Sequence, residues 1–479
     1  MKKALDIIQL EDNRVISYSH KFDDTIIRSY DIRGVYNETL FETDAIHIGR
    51  LFGLKVGKKR KVNICCDGRL SSPSLKKNLI KGLLEVGVDV CDIGIGPTPL
   101  LYFSCYENNA SGGIMITGSH NPKNHNGFKF VLENMPFYGE DLLTLSNKAN
   151  DYHFNSKKGC LVKANYKAQY LSRIFKNFEI KKKLRIVWDA GNGSAGELMS
   201  QIAQKVNKEN ILLFDDIDGN FPNHHPDPSD VKNLKDCIDS IIEEKLDLGI
   251  AFDGDGDRIG VVDDRGRPIP GDKLLLLFSK DILLEKKCTI IGDVKCSQVL
   301  FDEIEKDGGK AIISKTGHSH VKESIKKNKA DLAGEMSGHI FFNLDYFGFD
   351  DALYSAIKLL KILDKRNKKL SELIDELPSA FNTPEIRIGC NDSEKFNLIK
   401  QIISSQKQKN NKIIDIDGIR VVSDSGWWLL RASNTQAELV LRCEADSKKN
   451  LKKQLLFTKD AISEFNLELS DKILVENYI

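Results

Sequence analysis

The chain has 479 residues, 41% of them apolar and 29% charged, which is too long for one hydrophobic core and too ordinary in composition for a disordered or low-complexity protein. Its 70 Lys and Arg balance 69 Asp and Glu to a formal charge of +1, so the field of a nucleic-acid or anionic-membrane binder is missing and neither partner is expected. Met1 to Asn13 interrupts its apolar residues with Asp6, Glu11 and Asp12, which is no signal peptide, and the best apolar run, Leu274 to Phe278, is far too short to span a bilayer. Ten cysteines, scattered apart from Cys65-Cys66 and without a Cys-x-x-Cys spacing, predict reduced thiols and a cytoplasmic protein.

Short apolar runs that end in Asp or Gly and give way to helical periodicity recur along the chain, the signature of α/β architecture. Val62 to Cys66 ends at Asp67-Gly68-Arg69, and Pro73 to Leu84 reads as an amphipathic helix with proline in its first turn. Leu184 to Trp188 runs into Asp189-Ala190-Gly191-Asn192-Gly193-Ser194 ahead of a helix near Glu197 to Val206, and Thr289 to Ile291 runs into Asp293-Val294-Lys295. These three Asp-terminated strands lie roughly a hundred residues apart, the size of a small domain. Beyond Pro378 the pattern changes to strands at Glu385 to Ile388, Arg420 to Val422, Trp427 to Arg431 and Glu438 to Arg442, with a final helix from Ser447 to about Glu464. The expected fold class is therefore α/β: three serial related α/β domains over 1–155, 156–264 and 265–376, then an antiparallel α+β domain over 377–479.

Four loops carry chemistry. Ile114-Met115-Ile116 breaks into Thr117-Gly118-Ser119-His120-Asn121-Pro122, with Lys129 returning on the next strand, the ingredients of an activated or phosphorylated hydroxyl, although a Ser-His pair in a turn is more often a hydrogen-bonded turn. Phe252-Asp253-Gly254-Asp255-Gly256-Asp257-Arg258, framed by two apolar strands, sets three carboxylates at alternate positions. Like charges that close repel unless a cation neutralises them, and hard oxygen ligands suit Mg²⁺ or Ca²⁺. An EF-hand is rejected, because it wants glycine where Arg258 stands and helices where strands are read. A haloacid-dehalogenase-like phosphatase, with Asp253 as covalent nucleophile, stays open on these residues alone. Gly334-Glu335-Met336-Ser337-Gly338-His339 offers a carboxylate, a hydroxyl and an imidazole to sugar hydroxyls. Arg431-Ala432-Ser433-Asn434-Thr435-Gln436 joins a guanidinium to small hydrogen-bonding side chains that fit a phosphate.

Together, in this order, these loops resemble the α-D-phosphohexomutase family, most closely its phosphomannomutase/phosphoglucomutase branch. The likeness runs from Ile27 to about Ala445 and takes in Tyr30-Asp31-Ile32-Arg33-Gly34, Lys295-Cys296-Ser297, Thr316-Gly317-His318 and Phe347-Gly348-Phe349-Asp350-Asp351. The resemblance implies four domains around a central cleft. It makes Ser119 the phosphoryl carrier, with Asp253, Asp255 and Asp257 holding Mg²⁺ against that phosphate. Arg33, His120, Lys129 and Arg258 would line the reacting end, with Lys129 and His339 as proton-transfer groups. Glu335, Ser337 and His339 would grip sugar hydroxyls, and Arg431, Ser433, Asn434 and Thr435 would anchor the phosphate that is not reacting. Tyr30, Lys295 and His318 would be further substrate contacts in the cleft.

The implied reaction moves a phosphoryl group reversibly between O1 and O6 of a hexose through a hexose 1,6-bisphosphate, which also serves as activator. Glu335-Met336-Ser337 resembles the mannose/glucose branch, whereas phosphoglucosamine mutases, the second choice, usually have glutamine in place of Met336. A catalytically silent sugar-phosphate binding protein is a third possibility. The expected ligands are small sugar phosphates and the expected state a monomer or weak dimer. Cys66, where relatives usually carry arginine, and Gln436-Ala437-Glu438, in place of a segment that often includes proline, depart from the family pattern.

Overall fold

The computed structural model describes residues 15–155, 158–391, 393–433, 437–467 and 469. Its first sheet is built on Lys61–Cys66, which runs parallel to Asp89–Ile95 on one side and Gly112–Ile116 on the other, while His125–Leu132 returns antiparallel beside Gly112–Ile116. The same four-strand arrangement recurs twice. Ile186–Asp189 lies between parallel Ile211–Leu213 and Leu248–Phe252, with Ile259–Asp263 antiparallel to the latter. Thr289–Asp293 lies between parallel Lys310–Ser314 and Leu332–Gly334, with Ile340–Phe342 returning. The three strands that end in aspartate in the sequence are thus the central strands of three equivalent sheets. Each chemistry-bearing loop of these units, the one around Ser119, the one from Asp253 to Arg258 and the one from Glu335 to His339, joins the third parallel strand to the antiparallel return. It therefore leaves the carboxyl end of a parallel strand, the edge where α/β sheets place their ligands.

The first sheet also takes in Ile32–Val35 on the far side of His125–Leu132, and Leu161–Lys163 beside Asp89–Ile95. The latter strand lies past the boundary expected near Asn155. The helix expected from Pro73 to Leu84 spans Ser72–Glu85 and buries Leu75, Leu79, Ile80 and Leu83, a spacing that puts them on one face. Leu274 to Phe278 lies inside the buried helix Gly271–Leu283, and among the described residues no helix is long and apolar enough to cross a membrane.

The last unit is an antiparallel sheet ordered Phe381–Asn382, Glu438–Ala445, Gly426–Ala432, Ile419–Ser423 and Lys412–Ile414, with Ile386–Gly389 also paired to Glu438–Ala445. Helices Lys395–Gln408 and Lys448–Ser463 accompany it, the second capped by the Ser447 side chain. Core packing separates this unit from the rest. One apolar cluster runs without a break from Leu100 and Phe103 through Trp188 and Phe252 to Leu275, Phe278 and Leu360, whereas Ile402, Trp428, Leu430, Leu441 and Leu455 form a core of their own. A separate small patch packs Val294 of the third unit against Trp427 and Leu429 of the last.

Candidate active site

Ser119 is buried and sits in the left-handed region at φ 48°, a conformation that costs a side-chain-bearing residue on the order of 1 kcal/mol and has to be held by its surroundings. The hold is visible. Ser119 N donates to Thr117 Oγ1 at 2.7 Å, and Arg69, 1% exposed, spreads its guanidinium across the loop. Arg69 Nη2 donates to Ser119 O at 2.7 Å and Asn121 O at 2.6 Å, and Nη1 to Pro122 O at 2.6 Å and His125 O at 3.0 Å. Asp67 accepts from Arg69 Nε and from Gly118 N, both at 3.1 Å. Arg33, hydrogen bonded to Asp31, adds a contact to Asn121 Oδ1 at 2.9 Å.

The serine faces the carboxylate loop. Its Oγ donates to Asp253 Oδ2 at 2.9 Å and lies 3.3 Å from His120 Nδ1. Gly254 makes the approach possible, since a Cβ there would stand 2.5 Å from Ser119 O. Asp253, Asp255 and Asp257 are fully buried and present oxygens within 4.8 Å of one another. Lys129, also buried, sets its ammonium 2.7 Å from Asp255 Oδ2 and 2.5 Å from Asp257 Oδ2. Burial works against that charge, but the three carboxylates raise the Lys129 pKa above its ordinary value. Burial and the neighbouring Asp257 and Asp255 charges push Asp253 well above the usual carboxylate range. Asp257 goes well below it, because Lys129 and His339 outweigh its burial. Amid these crowded carboxylates Asp255 Oδ1 is buried without a hydrogen-bond partner. The donor set is thus all hard oxygen and suits a divalent cation such as Mg²⁺.

The third loop closes on the second. Ile259 N donates to Gly338 O at 3.0 Å, and Arg258 and His339 form a β-bridge. His339 is gripped at both nitrogens, by Glu335 Oε2 at 2.8 Å and Asp257 Oδ1 at 3.1 Å. Burial lowers its pKa, but Asp257 and Glu335 win and push it up to about 9. His339 is accordingly an imidazolium at neutral pH. Glu335 stays ionised, as His339 and Gly317 N, bonded to Glu335 Oε1 at 2.5 Å, offset its burial. Ser337 Oγ lies 3.5 Å from His339 Nδ1. His318 heads the helix His318–Asn328, with Tyr30 edge-on at 5.9 Å. Burial and nearby cations drive both His318 and His120 well below the ordinary histidine value.

At the far end, Arg431 leaves its strand with Nε bonded to Asp417 Oδ2 at 3.1 Å, and the same oxygen accepts from Thr316 N at 3.1 Å. Arg431 Nη2 is buried without a partner among the described residues. Lys295 pairs with Glu385 at 2.9 Å, and Ser433 is buried. Asn434 and Thr435 lie outside the described residues.

The first three loops accordingly meet through direct contacts, from Ser119 to Asp253 and from Asp257 to His339, and Arg431 of the fourth is tied to Thr316 through Asp417. Comparison with known proteins agrees with this layout. The sequence patterns of phosphoglucomutase/phosphomannomutase alpha/beta/alpha domains I, II and III match residues 24–156, 168–266 and 270–381, and that of the C-terminal domain matches 385–459. The chain is 43% identical over 433 residues to a phosphomannomutase/phosphoglucomutase of Pseudomonas syringae pv. tomato, covering 90% of this chain and 93% of that one. The chain belongs to the phosphoglucomutase/phosphomannomutase family. A Neisseria gonorrhoeae phosphoglucomutase is 40% identical over 430 residues, covering 88% of this chain and 93% of the relative. A crystal structure of a phosphoglucomutase/phosphomannomutase family protein from Burkholderia thailandensis superimposes with a TM-score of 0.86 at 38% identity, covering 94% of this chain and all of that one.

Within this family architecture, several residues brace the loops without a sequence pattern that marks them. Arg69 is the foremost, and its place straight after a buried strand and an Asp-Gly turn was the only local signal. Thr98 donates to Asp255 Oδ2 at 2.5 Å from a helix start far away in sequence, and Asp293 accepts from Met336 N at 3.2 Å, as Asp67 does from Gly118 N. No sequence spacing announces such pairs. Cys66, the departure from the family pattern, is buried with its Sγ 3.7 Å from Gly94 O.

Proposed function

We infer that the protein interconverts the 1- and 6-phosphates of mannose and of glucose by way of a phosphoserine at Ser119 and a hexose 1,6-bisphosphate. The observation that carries this reading is Ser119 Oγ held 2.9 Å from Asp253 beside two further buried carboxylates. Relatives of similar length carry both activities in their names. Mg²⁺, held by Asp253, Asp255 and Asp257 together with an oxygen on Ser119, would supply charge neutralisation for the phosphoryl group.

The chain's own residues supply position and charge. In one half-reaction the P–O bond to Ser119 breaks as a new P–O bond forms to the free sugar hydroxyl, whose proton leaves. In the other half the second phosphoryl group of the bisphosphate returns to Ser119. Lys129, Arg33 and Arg258 place fixed positive charge around the reacting end, where electrostatic preorganisation lowers the barrier to phosphoryl transfer. His339, as an imidazolium, is poised to donate a proton, and neutral His120, 3.3 Å from Ser119 Oγ, is placed to accept one. Glu335, being ionised, accepts hydrogen bonds from sugar hydroxyls, with Ser337 beside it. Arg431, Ser433, Asn434 and Thr435 would hold the phosphate that is not reacting, with Tyr30, Lys295 and His318 as additional contacts. Turning the bisphosphate around requires the cleft to open, and a last unit with an apolar core of its own suits such a motion. The ten cysteines, all unpaired, suit a cytoplasmic enzyme acting on small sugar phosphates as a monomer or weak dimer.

Mass spectrometry of the purified protein, with a coupled assay on glucose 1-phosphate and mannose 1-phosphate, tests the reading. Phosphate is expected on Ser119, and Ser119→Ala is expected to abolish turnover. Phosphate on Asp253 and never on Ser119, or turnover undiminished in Ser119→Ala, would overturn it.

A further inference from the structure

Behind the two cleft histidines lies a buried ion pair that the reaction as described does not use. Lys322 Nζ is 2.6 Å from Asp350 Oδ1, with the lysine side chain 9% exposed and the aspartate not exposed at all. Lys322 stands one helical turn beyond His318, so its ammonium also reaches His318 Nδ1, at 3.2 Å. Its remaining side faces the Tyr102 ring, 4.1 Å from the centroid. A buried ion pair gives little net stability over an apolar pair of the same volume. What this one does is specify a tautomer.

A neutral imidazole has one proton and two nitrogens to carry it. Burial and the Lys322 charge hold His318 neutral, so one of its nitrogens must present a lone pair. The two groups facing Nδ1 ask for opposite answers. An ammonium only donates and requires a lone pair there, whereas a carboxylate only accepts and requires an N–H. The ammonium stands at 3.2 Å and Asp350 Oδ2 at 3.9 Å. The first is within hydrogen-bond range and the second outside it. The proton is thereby left on Nε2, which is buried with no partner among the described residues. The same ring has the Tyr30 ring at 5.9 Å and the His339 ring at 5.7 Å, which sets this unspent donor among the cleft residues.

We propose that Lys322, oriented by Asp350, is a positioning residue that locks His318 in its Nε2–H tautomer, so that the ring offers a donor to an oxygen of the bound sugar phosphate. Without the ammonium, Asp350 becomes the nearest polar neighbour of Nδ1 and draws the proton to that side. His318 then turns a lone pair toward an electron-rich ligand and repels it. The identity of the acceptor rests on the hexose-phosphate reading of the cleft, but the tautomer does not.

Nitrogen-15 NMR of histidine-labelled protein, with His318 assigned by its loss in His318→Gln, reads the tautomer without substrate, so its failure is separable from inactivity of the wild type on hexose phosphates. The wild type is expected to show Nε2–H. Lys322→Met is expected to move His318 to Nδ1–H and to lower kcat/KM on the order of tenfold to a hundredfold, the loss of one charge-assisted hydrogen bond. Lys322→Arg, which keeps a donor, should restore the Nε2–H tautomer and most of kcat/KM. Lys322→Met/Asp350→Asn removes both charges and guards against a fold lost to an unpaired carboxylate. It should show mixed tautomers and a smaller fall in kcat/KM than Lys322→Met, in proportion to the fraction of His318 that is no longer Nε2–H. An Nδ1–H signal in the wild type overturns the proposal, as does an unchanged tautomer with kcat/KM within twofold of wild type in either methionine variant.

Discussion

Gly254→Ala adds one methyl group and no charge at the contact between the serine loop and the carboxylate loop. Its Cβ would stand 2.5 Å from Ser119 O, about 0.9 Å inside the 3.4 Å at which ordinary contact begins. The oxygen cannot turn aside, because Arg69 Nη2 holds it at 2.7 Å. One loop therefore has to retreat by about 0.5–0.9 Å, which stretches the 2.9 Å contact between Ser119 Oγ and Asp253 beyond hydrogen-bond range. Overpacking of this kind costs about 1–3 kcal/mol of stability. The larger effect falls on the rate, since a misplacement on the order of 1 Å at the reacting atoms costs about a hundredfold, or ~2.7 kcal/mol of barrier. Coupled assays on glucose 1-phosphate should thus show kcat down about a hundredfold with KM within about threefold, because the loops from Glu335 to His339 and from Arg431 onward, proposed to hold the sugar and the distal phosphate, are untouched. Gly389→Ala, where an added Cβ meets nothing within 4 Å, is the control and should be neutral. A folded Gly254→Ala enzyme with kcat within threefold of wild type would refute the idea that this spacing governs transfer.

Two other expectations follow from the same contacts. Arg69→Lys keeps the charge but loses the fork that bridges four carbonyls; with about two charge-assisted bonds gone it should lose about 2–4 kcal/mol in urea denaturation, and kcat should fall more than KM rises. Wild-type stability in that variant would show the clamp to be idle. Glu385 is pulled from 4.5 to about 2 chiefly by Lys295, so its contribution is fully present above about pH 4.5 and is lost as pH falls toward about 2. Because its side chain is 27% exposed, that contribution is on the order of 1–2 kcal/mol. Glu385→Gln should therefore be less stable at pH 7 and lose less stability than wild type between pH 4.5 and pH 2; parallel acid-denaturation curves would exclude the linkage.

Much of the architecture was legible because its signals are local. Apolar runs that close on Asp67, Asp189 and Asp293 mark three related units, and all three are the central strands of equivalent sheets. The alternate carboxylates from Asp253 to Asp257 mark a crowded acidic cluster that could hold a cation, because the electrostatics of three close acids is written into the spacing itself. The bracing of these loops was not legible. Arg69 reaches carbonyls about fifty positions away, Thr98 reaches Asp255, and Lys322 reaches Asp350. Nothing in a linear pattern distinguishes a buried, fully bonded arginine or lysine from a solvated one.

The amino-acid order by itself determined which chemical groups are available and how each short segment turns, because propensity, charge repulsion and capping act over a few residues. Which charge neutralises which, that His339 is an imidazolium while His120 and His318 are neutral, and which nitrogen of His318 holds its proton were decided only when the units packed. Those properties depend on burial and on distances of a few ångströms between groups far apart in the chain, and such distances exist only in the folded protein.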